Sequence, residues 1–214
     1  MNLLKIKEVI CAESFLVKPS EEELKVLDKK TREIIKILSD NLKKAKINAD
    51  VFVGGSFAKG TLIKKDKYDV DIFVRFDVKY GNNKISGLLK KVVPKTAKKI
   101  HGSRDYFSIS EGNLTFEIIP VMKIKNPSEA ENITDLSYFH VKYIKNKINK
   151  NKKLAGEIRL AKAFAYYQNC YGAESYINGF SGYGVELVVC AYGSFIRFIS
   201  EVAKFDLKKD KRAK

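Results

Sequence analysis

The segment Tyr68-Asp69-Val70-Asp71-Ile72-Phe73-Val74 constrains the fold more than any other stretch of the chain. A strand repeats every two residues, so Asp69 and Asp71 project from one face while Val70, Ile72 and Val74 point to the other. The chain therefore calls for a sheet with one face buried and the other carrying a pair of carboxylates. Upstream, Val51-Phe52-Val53 reads as a short buried strand, and Gly54-Gly55-Ser56 turns it sharply into a helical stretch beginning near Phe57. A third carboxylate, Glu117, lies in Leu114-Thr115-Phe116-Glu117-Ile118-Ile119, a second strand-like run where a lone acid would be costly to bury unless a metal site compensates it.

Two or three carboxylates without a His or Cys cluster suit Mg²⁺, a hard cation that takes oxygen ligands and keeps positions for water and phosphates, better than Zn²⁺. A glycine turn exposing amide N–H groups at a helix start is a phosphate cradle, to which the Ser56 hydroxyl adds a donor. Neither feature is specific alone, since most Asp-x-Asp pairs are solvated strand or turn acids. Their succession, with a third acid on a strand, is the equipment of metal-dependent nucleotidyl transfer.

Composition narrows the partners. With 214 residues and 45% hydrophobic content, the chain can bury a core as one large domain or two small ones. Lys and Arg exceed Asp and Glu by 41 to 25, a net charge of +16, which favours a polyanion; a lysine-rich surface can also reflect genome composition or thermal adaptation. Only six of the 41 are Arg, so point charges for a nucleic-acid backbone outnumber forks for base edges. Cys11, Cys170 and Cys190 are scattered and odd in number, which argues for reduced thiols in a cytoplasm and against a zinc site. No apolar run approaches membrane-spanning length, and the acids Glu8 and Glu13 make the start a poor signal peptide.

Pro19-Ser20-Glu21-Glu22-Glu23 reads as a helix start with Ser20 as N-cap and Glu23 closing a capping box; Leu24, Leu27, Ile34, Ile35, Leu38 and Leu42 follow with helical period. Residues 50–53, 68–76, 104–110 and 114–124 read as strands, the last two joined by a hairpin turn at Glu111-Gly112-Asn113, while 84–100 reads as a helix interrupted at Pro94. Near Asn126-Pro127-Ser128 the pattern changes to helices over 137–149, 153–169 and 184–203. The expectation is an α+β chain: a head over 1–125 with a mixed sheet and helices on one side, a mainly helical second domain over 126–207, and a charged, disordered tail over 208–214.

Gly54-Gly55-Ser56-Phe57-Ala58-Lys59-Gly60-Thr61, the Asp69-Val70-Asp71-Ile72-Phe73 strand and Glu117-Ile118-Ile119-Pro120 resemble the nucleotidyltransferase head of the polymerase-β superfamily, in particular the archaeal (class I) CCA-adding enzymes. Downstream, Ser137-Tyr138-Phe139-His140, Gly156 to Phe164, Tyr171-Gly172-Ala173-Glu174 and Gly179 to Phe195 resemble that family's second domain in the same order. The resemblance implies attack of a 3′-hydroxyl on the α-phosphate of ATP or CTP, with release of pyrophosphate. Asp69, Asp71 and Glu117 would hold Mg²⁺, Gly55 and Ser56 the β- and γ-phosphates, with Lys59 close by. His140, Lys162 and Tyr171 fall on family positions that contact the nucleotide's phosphates and sugar; read without the resemblance, they are a helix-interior hydrogen-bonding residue, a snorkelling surface lysine and a core aromatic.

Two departures from the family pattern stand out. Glu117 occupies a position where the pattern has Asp, which lengthens the ligand arm by one methylene. Full members also continue well beyond the point matching Phe195, into parts that grip the tRNA elbow and carry an arginine involved in reading the base. The implied function is a cytoplasmic tRNA CCA nucleotidyltransferase: a reduced enzyme, a fragment of a longer one, or one half of a split enzyme whose second polypeptide supplies the rest. The alternatives are a minimal nucleotidyltransferase modifying another RNA or a protein, and a non-catalytic RNA-binding subunit.

Overall fold

A computed structural model describes residues 3–173 and 177–204 of the chain. It divides into two compact units, residues 19–143 and residues 1–18 together with 144–214. Glu174 of the second-domain resemblance and the charged segment 208–214 lie outside the described residues.

The first unit is built on a five-stranded mixed sheet in the order β1-β2-β5-β4-β3, formed by Ala49–Val53, Tyr68–Phe76, Leu114–Met122, Tyr106–Glu111 and Lys98–Ile100, with β2 and β5 parallel and the other pairs antiparallel. The alternation of β2 appears as burial: Tyr68, Val70, Ile72, Val74 and Phe76 are buried, Asp69 is exposed, and Asp71 and Arg75 are half-buried. The buried row packs beneath helix α2 (Glu21–Lys44), which supplies Leu27, Ile34, Leu38 and Leu42, and beneath α4 (Ile85–Lys90), which supplies Ile85 and Leu89. Each such side chain contributes roughly 1.5–3 kcal/mol by leaving water. The capping box that starts α2 is present: Ser20 Oγ accepts from the Glu23 amide at 3.1 Å, and Glu23 Oε2 accepts from the Ser20 amide at 2.7 Å. Glu23 Oε1 also accepts from the Tyr68 hydroxyl at 3.0 Å, tying the helix start to β2.

Three elements differ from the sequence expectation. The helix expected over 84–100 ends at Lys90, and Lys98–Ile100 is instead the edge strand β3. Lysines at an edge discourage pairing with a foreign strand, so β3 lacks the alternating pattern of an interior strand. The helix expected over 184–203 is two, α7 (Gly182–Tyr192) and α8 (Phe195–Val202): Gly193, at φ 78°, closes the first in a left-handed cap, and the Ser194 hydroxyl caps the second. The head expected to end at residue 125 extends through the first half of α5 (Ser137–Lys150), because residues 133–136 are tied to the sheet by a buried ion pair. Arg104 donates to both carboxylate oxygens of Asp135, at 2.6 and 3.2 Å, and Asp135 also accepts from the Met122 amide at 2.8 Å.

The second unit contains α1 (Leu3–Leu16), the latter part of α5, α6 (Leu154–Tyr167), α7 and α8. Ile144, Leu154, Ile158, Ala161, Val185 and Val189 form its core. No helix among the described residues is long and apolar enough to cross a membrane.

Candidate active site

The site begins at the paired strands β2 and β5. Asp71 lies opposite Glu117 and Asp69 opposite Thr115, so all three carboxylates stand on one sheet face, opposite the face that packs beneath α2 and α4. Burial pushes the Glu117 carboxyl up to about 7, reinforced by the negative charges of Asp71 and then Asp69 and only partly offset by a long, 3.4 Å hydrogen bond from the Tyr106 hydroxyl. Tyr106 is raised in turn by its own burial and by the charge of Glu117. This donor set consists of hard oxygens whose mutual repulsion a divalent cation would relieve, so its chemistry fits such an ion. Among the described residues, no three His, Cys, Asp or Glu side chains already stand grouped as a ready-made ligand set.

The glycine turn is fitted to Asp71. Gly54 donates its amide to the Asp71 carbonyl at 2.8 Å, anchoring the end of β1 to β2. Gly55 has φ 58°, and a Cβ placed there would lie 1.6 Å from Asp71 Oδ2, so the backbone runs directly against the carboxylate. The helix expected to begin near Phe57 starts two residues earlier: α3 spans Gly55–Lys59, with Ser56 half-buried in its first turn. Lys59 is buried at its end, 9% exposed.

His140 lies half-buried on the part of α5 that belongs to the first unit. Lys162 and Tyr171 belong to the second unit. Lys162 is not a snorkelling surface residue: it is 1% exposed and its Nζ meets Glu186 Oε1 of α7 at 2.6 Å. Tyr171 packs against the core of that unit, and a Cβ on Gly182 would lie 2.7 Å from its hydroxyl oxygen, which therefore rests against the first turn of α7. Glu186 and Tyr106 were not singled out from the sequence. An acid within Val185-Glu186-Leu187-Val188 and a lysine within Leu160-Ala161-Lys162-Ala163, each in an apolar helix, are opposite charges that burial requires to pair, and that signal was available for Glu186. Nothing local marks Tyr106, whose role depends on strand register.

The profile of the family described as tRNA nucleotidyltransferase, second domain, matches residues 156–212, and that of a domain of unknown function matches residues 2–64. The CCA-adding enzyme of Nanoarchaeum equitans is 39% identical over 92% of this chain and 48% of its own length. That of Methanocaldococcus jannaschii is 30% identical over 98% of the chain and 48% of its own length. The chain thus spans about half the length of the curated relatives it matches. Among solved structures, CdnC with ATP from E. coli MS115-1 superposes with a TM-score of 0.67 at 17% identity, covering 92% of this chain and 71% of that one. The Cid1 poly(U) polymerase gives 0.65 at 17% identity, covering 86% and 54%, and both likenesses establish the shared fold. With a polymerase-β-like sheet in its first unit and similarity running through nearly its whole length, the chain belongs to the family of the archaeal CCA-adding enzymes.

Proposed function

We propose that the chain carries the catalytic part of a tRNA CCA nucleotidyltransferase, which transfers CMP and AMP from CTP and ATP to the tRNA 3′ end and releases pyrophosphate. The observation that carries this reading is the placement of Asp69, Asp71 and Glu117 on one face of two paired strands, with Asp71 directly against the Gly55 turn. The carboxylates would hold a divalent cation, Mg²⁺ by the hardness of the donors, which when bound neutralises the triphosphate and makes the attacking 3′-hydroxyl more acidic.

The chain's own groups divide the remaining work. The Gly55 and Ser56 amides and the Ser56 hydroxyl hold the β- and γ-phosphates, and Lys59 adds positive charge behind the turn. Burial and the charges of Asp71 and Asp69 push the metal-free Glu117 carboxyl up to about 7, and a cation held by the three carboxylates would relieve that by stabilising its charged form. His140, Lys162 and Tyr171 are proposed contacts to the phosphates and sugar; for Lys162 this requires exchanging part of its bond to Glu186 for a phosphate oxygen. The lysine-rich surface attracts the RNA backbone. The enzyme would work in the cytoplasm, where its free cysteines stay reduced.

Incubating the chain with labelled CTP or ATP, Mg²⁺ and tRNA lacking its 3′ end tests the acceptor. Sequencing of the products should find C or A added at that end. Label transferred only to other RNAs or to protein would contradict the proposal.

A further inference from the structure

The third carboxylate stands on a longer arm than its two companions. Glutamate adds a methylene and a torsion, so fixing its carboxylate costs more rotamer freedom than fixing that of an aspartate. Asp71 has a support in the Gly55 turn, whose backbone runs against its Oδ2. Glu117 needs a support of its own, and the sheet register supplies a place for one. On β4, Ser108 lies directly opposite Glu117, while Phe107 and Ile109 point into the core, so Tyr106 and Ser108 share the carboxylate face.

Ser108 is short and leaves the face open beside Glu117. Tyr106, two residues along β4, is a diagonal neighbour of Glu117, at a spacing of roughly 7–8 Å that aromatic and long side chains can bridge. Its hydroxyl donates to Glu117 Oε1 at 3.4 Å and has no other hydrogen-bond partner among the described residues. The ring is held in turn: Tyr106 pairs with Ile100 of β3, is half-buried, and is flanked by Gly102, where a Cβ would lie 3.6 Å from its Cε1. An aspartate at position 117 would draw the carboxylate back by roughly the 1.5 Å of one carbon–carbon bond, and the hydroxyl would lose its acceptor. The long acid and the tyrosine are matched in length.

We infer that Tyr106 is a positioning residue for the third carboxylate: its hydroxyl holds Oε1 of Glu117 and leaves Oε2 for a divalent cation shared with Asp69 and Asp71. The inference rests on these three carboxylates being the metal site of the proposed function. Without the hydroxyl, the Glu117 arm spreads over its rotamers and the cation loses a ligand already in place. A phenol suits this task because it donates one hydrogen bond and brings no charge, so it steadies the carboxylate without neutralising it.

Mn²⁺ binding to nucleotide-free protein, followed by electron paramagnetic resonance, tests this on wild type, Tyr106→Phe, Glu117→Asp and the double variant. Melting temperature and labelled-nucleotide transfer at varied Mg²⁺ are measured on the same samples. Tyr106→Phe keeps the ring, so it should melt close to wild type. It should bind Mn²⁺ about three- to tenfold more weakly, the effect of one modest hydrogen bond, and need correspondingly more Mg²⁺ for half-maximal transfer. In the Glu117→Asp background the same substitution should change Mn²⁺ affinity less than about twofold, because the shorter arm does not reach the hydroxyl. Affinity within about twofold of wild type in Tyr106→Phe would overturn the inference. An equal loss in both backgrounds would also overturn it, since the hydroxyl would then act without Glu117. If Mn²⁺ binding follows the expected pattern but wild type transfers no nucleotide, the positioning role stands and the proposed function falls. Failure of wild type to bind Mn²⁺ would overturn the positioning role and the metal site together.

Discussion

A methyl group on Gly55 would lie 1.6 Å from Asp71 Oδ2 at a backbone φ of 58°, so Gly55→Ala must either unwind the turn or push the carboxylate aside. We expect it to cost on the order of 1 kcal/mol in stability but nearly all nucleotidyl transfer, measured by denaturant melts beside turnover on RNA. Normal turnover would remove the turn from the site. Glu117 supplies a pH signature. Its folded-state pKa, about 7, lies above the usual 4.5, so its contribution to stability is fully present below pH 4.5 and is lost as pH rises through 7. In metal-free protein, Glu117→Gln should therefore raise the melting temperature relative to wild type at pH 8 and have little effect at pH 4.5, with Mg²⁺ shrinking the difference at pH 8. An equal gap at both pH values would mean that Glu117 does not carry that strain. The carboxylate pair was legible because strand period and residue type coincide; the pairing of Asp71 with Glu117, 46 residues apart, and the Tyr106 contact depend on register, which no local pattern encodes.

At the level of elements, legibility followed the strength of local rules. The capping box and apolar period of α2, and the alternation of β2 and β5, are strong signals and match the structure. Pro120 lies in β5 beyond the last residue that β4 pairs, and its carbonyl is taken by Arg104 at 3.1 Å, so the missing amide hydrogen breaks no bond of that ladder. Sequence periodicity missed β3, an edge of lysines, and merged α7 with α8, since one left-handed residue divides two apolar helices that otherwise read as continuous. The buried Arg104–Asp135 pair was equally hidden: Arg104 reads as the start of a strand, and no local pattern links it to an acid 31 residues away. Arg104→Ala would leave Asp135 buried with a charge answered only by amides, so we expect a loss of about 3–5 kcal/mol by chemical denaturation. A loss below about 1 kcal/mol would mean the segment 133–136 is held by packing alone.

Across the whole molecule, the sequence carries a polyanion-seeking charge and the two halves of one family's pattern, while the described residues contain no side chain that we can assign to reading a base. A triphosphate clamp contributes nearly equal binding to every nucleotide, and discrimination needs a group that the wrong base leaves unpaired. The isolated chain should thus bind CTP and ATP within about tenfold of each other in Mg²⁺; a larger ratio, above roughly 1.4 kcal/mol, would place base readout in these residues. The grouping of α1 with residues 144–214 had no signature in the sequence, because such grouping depends on contacts between segments far apart in the chain. The most direct test of the central claim is carboxylate-dependent transfer: labelled CMP or AMP incorporation into tRNA lacking its 3′ end by wild type, Asp69→Ala and Asp71→Ala, with melting curves confirming that each is folded. The account predicts Mg²⁺-dependent incorporation by wild type, abolished by EDTA, and a loss of at least about a thousandfold in either variant with its fold intact. Near-normal incorporation by a folded Asp71→Ala protein would contradict it.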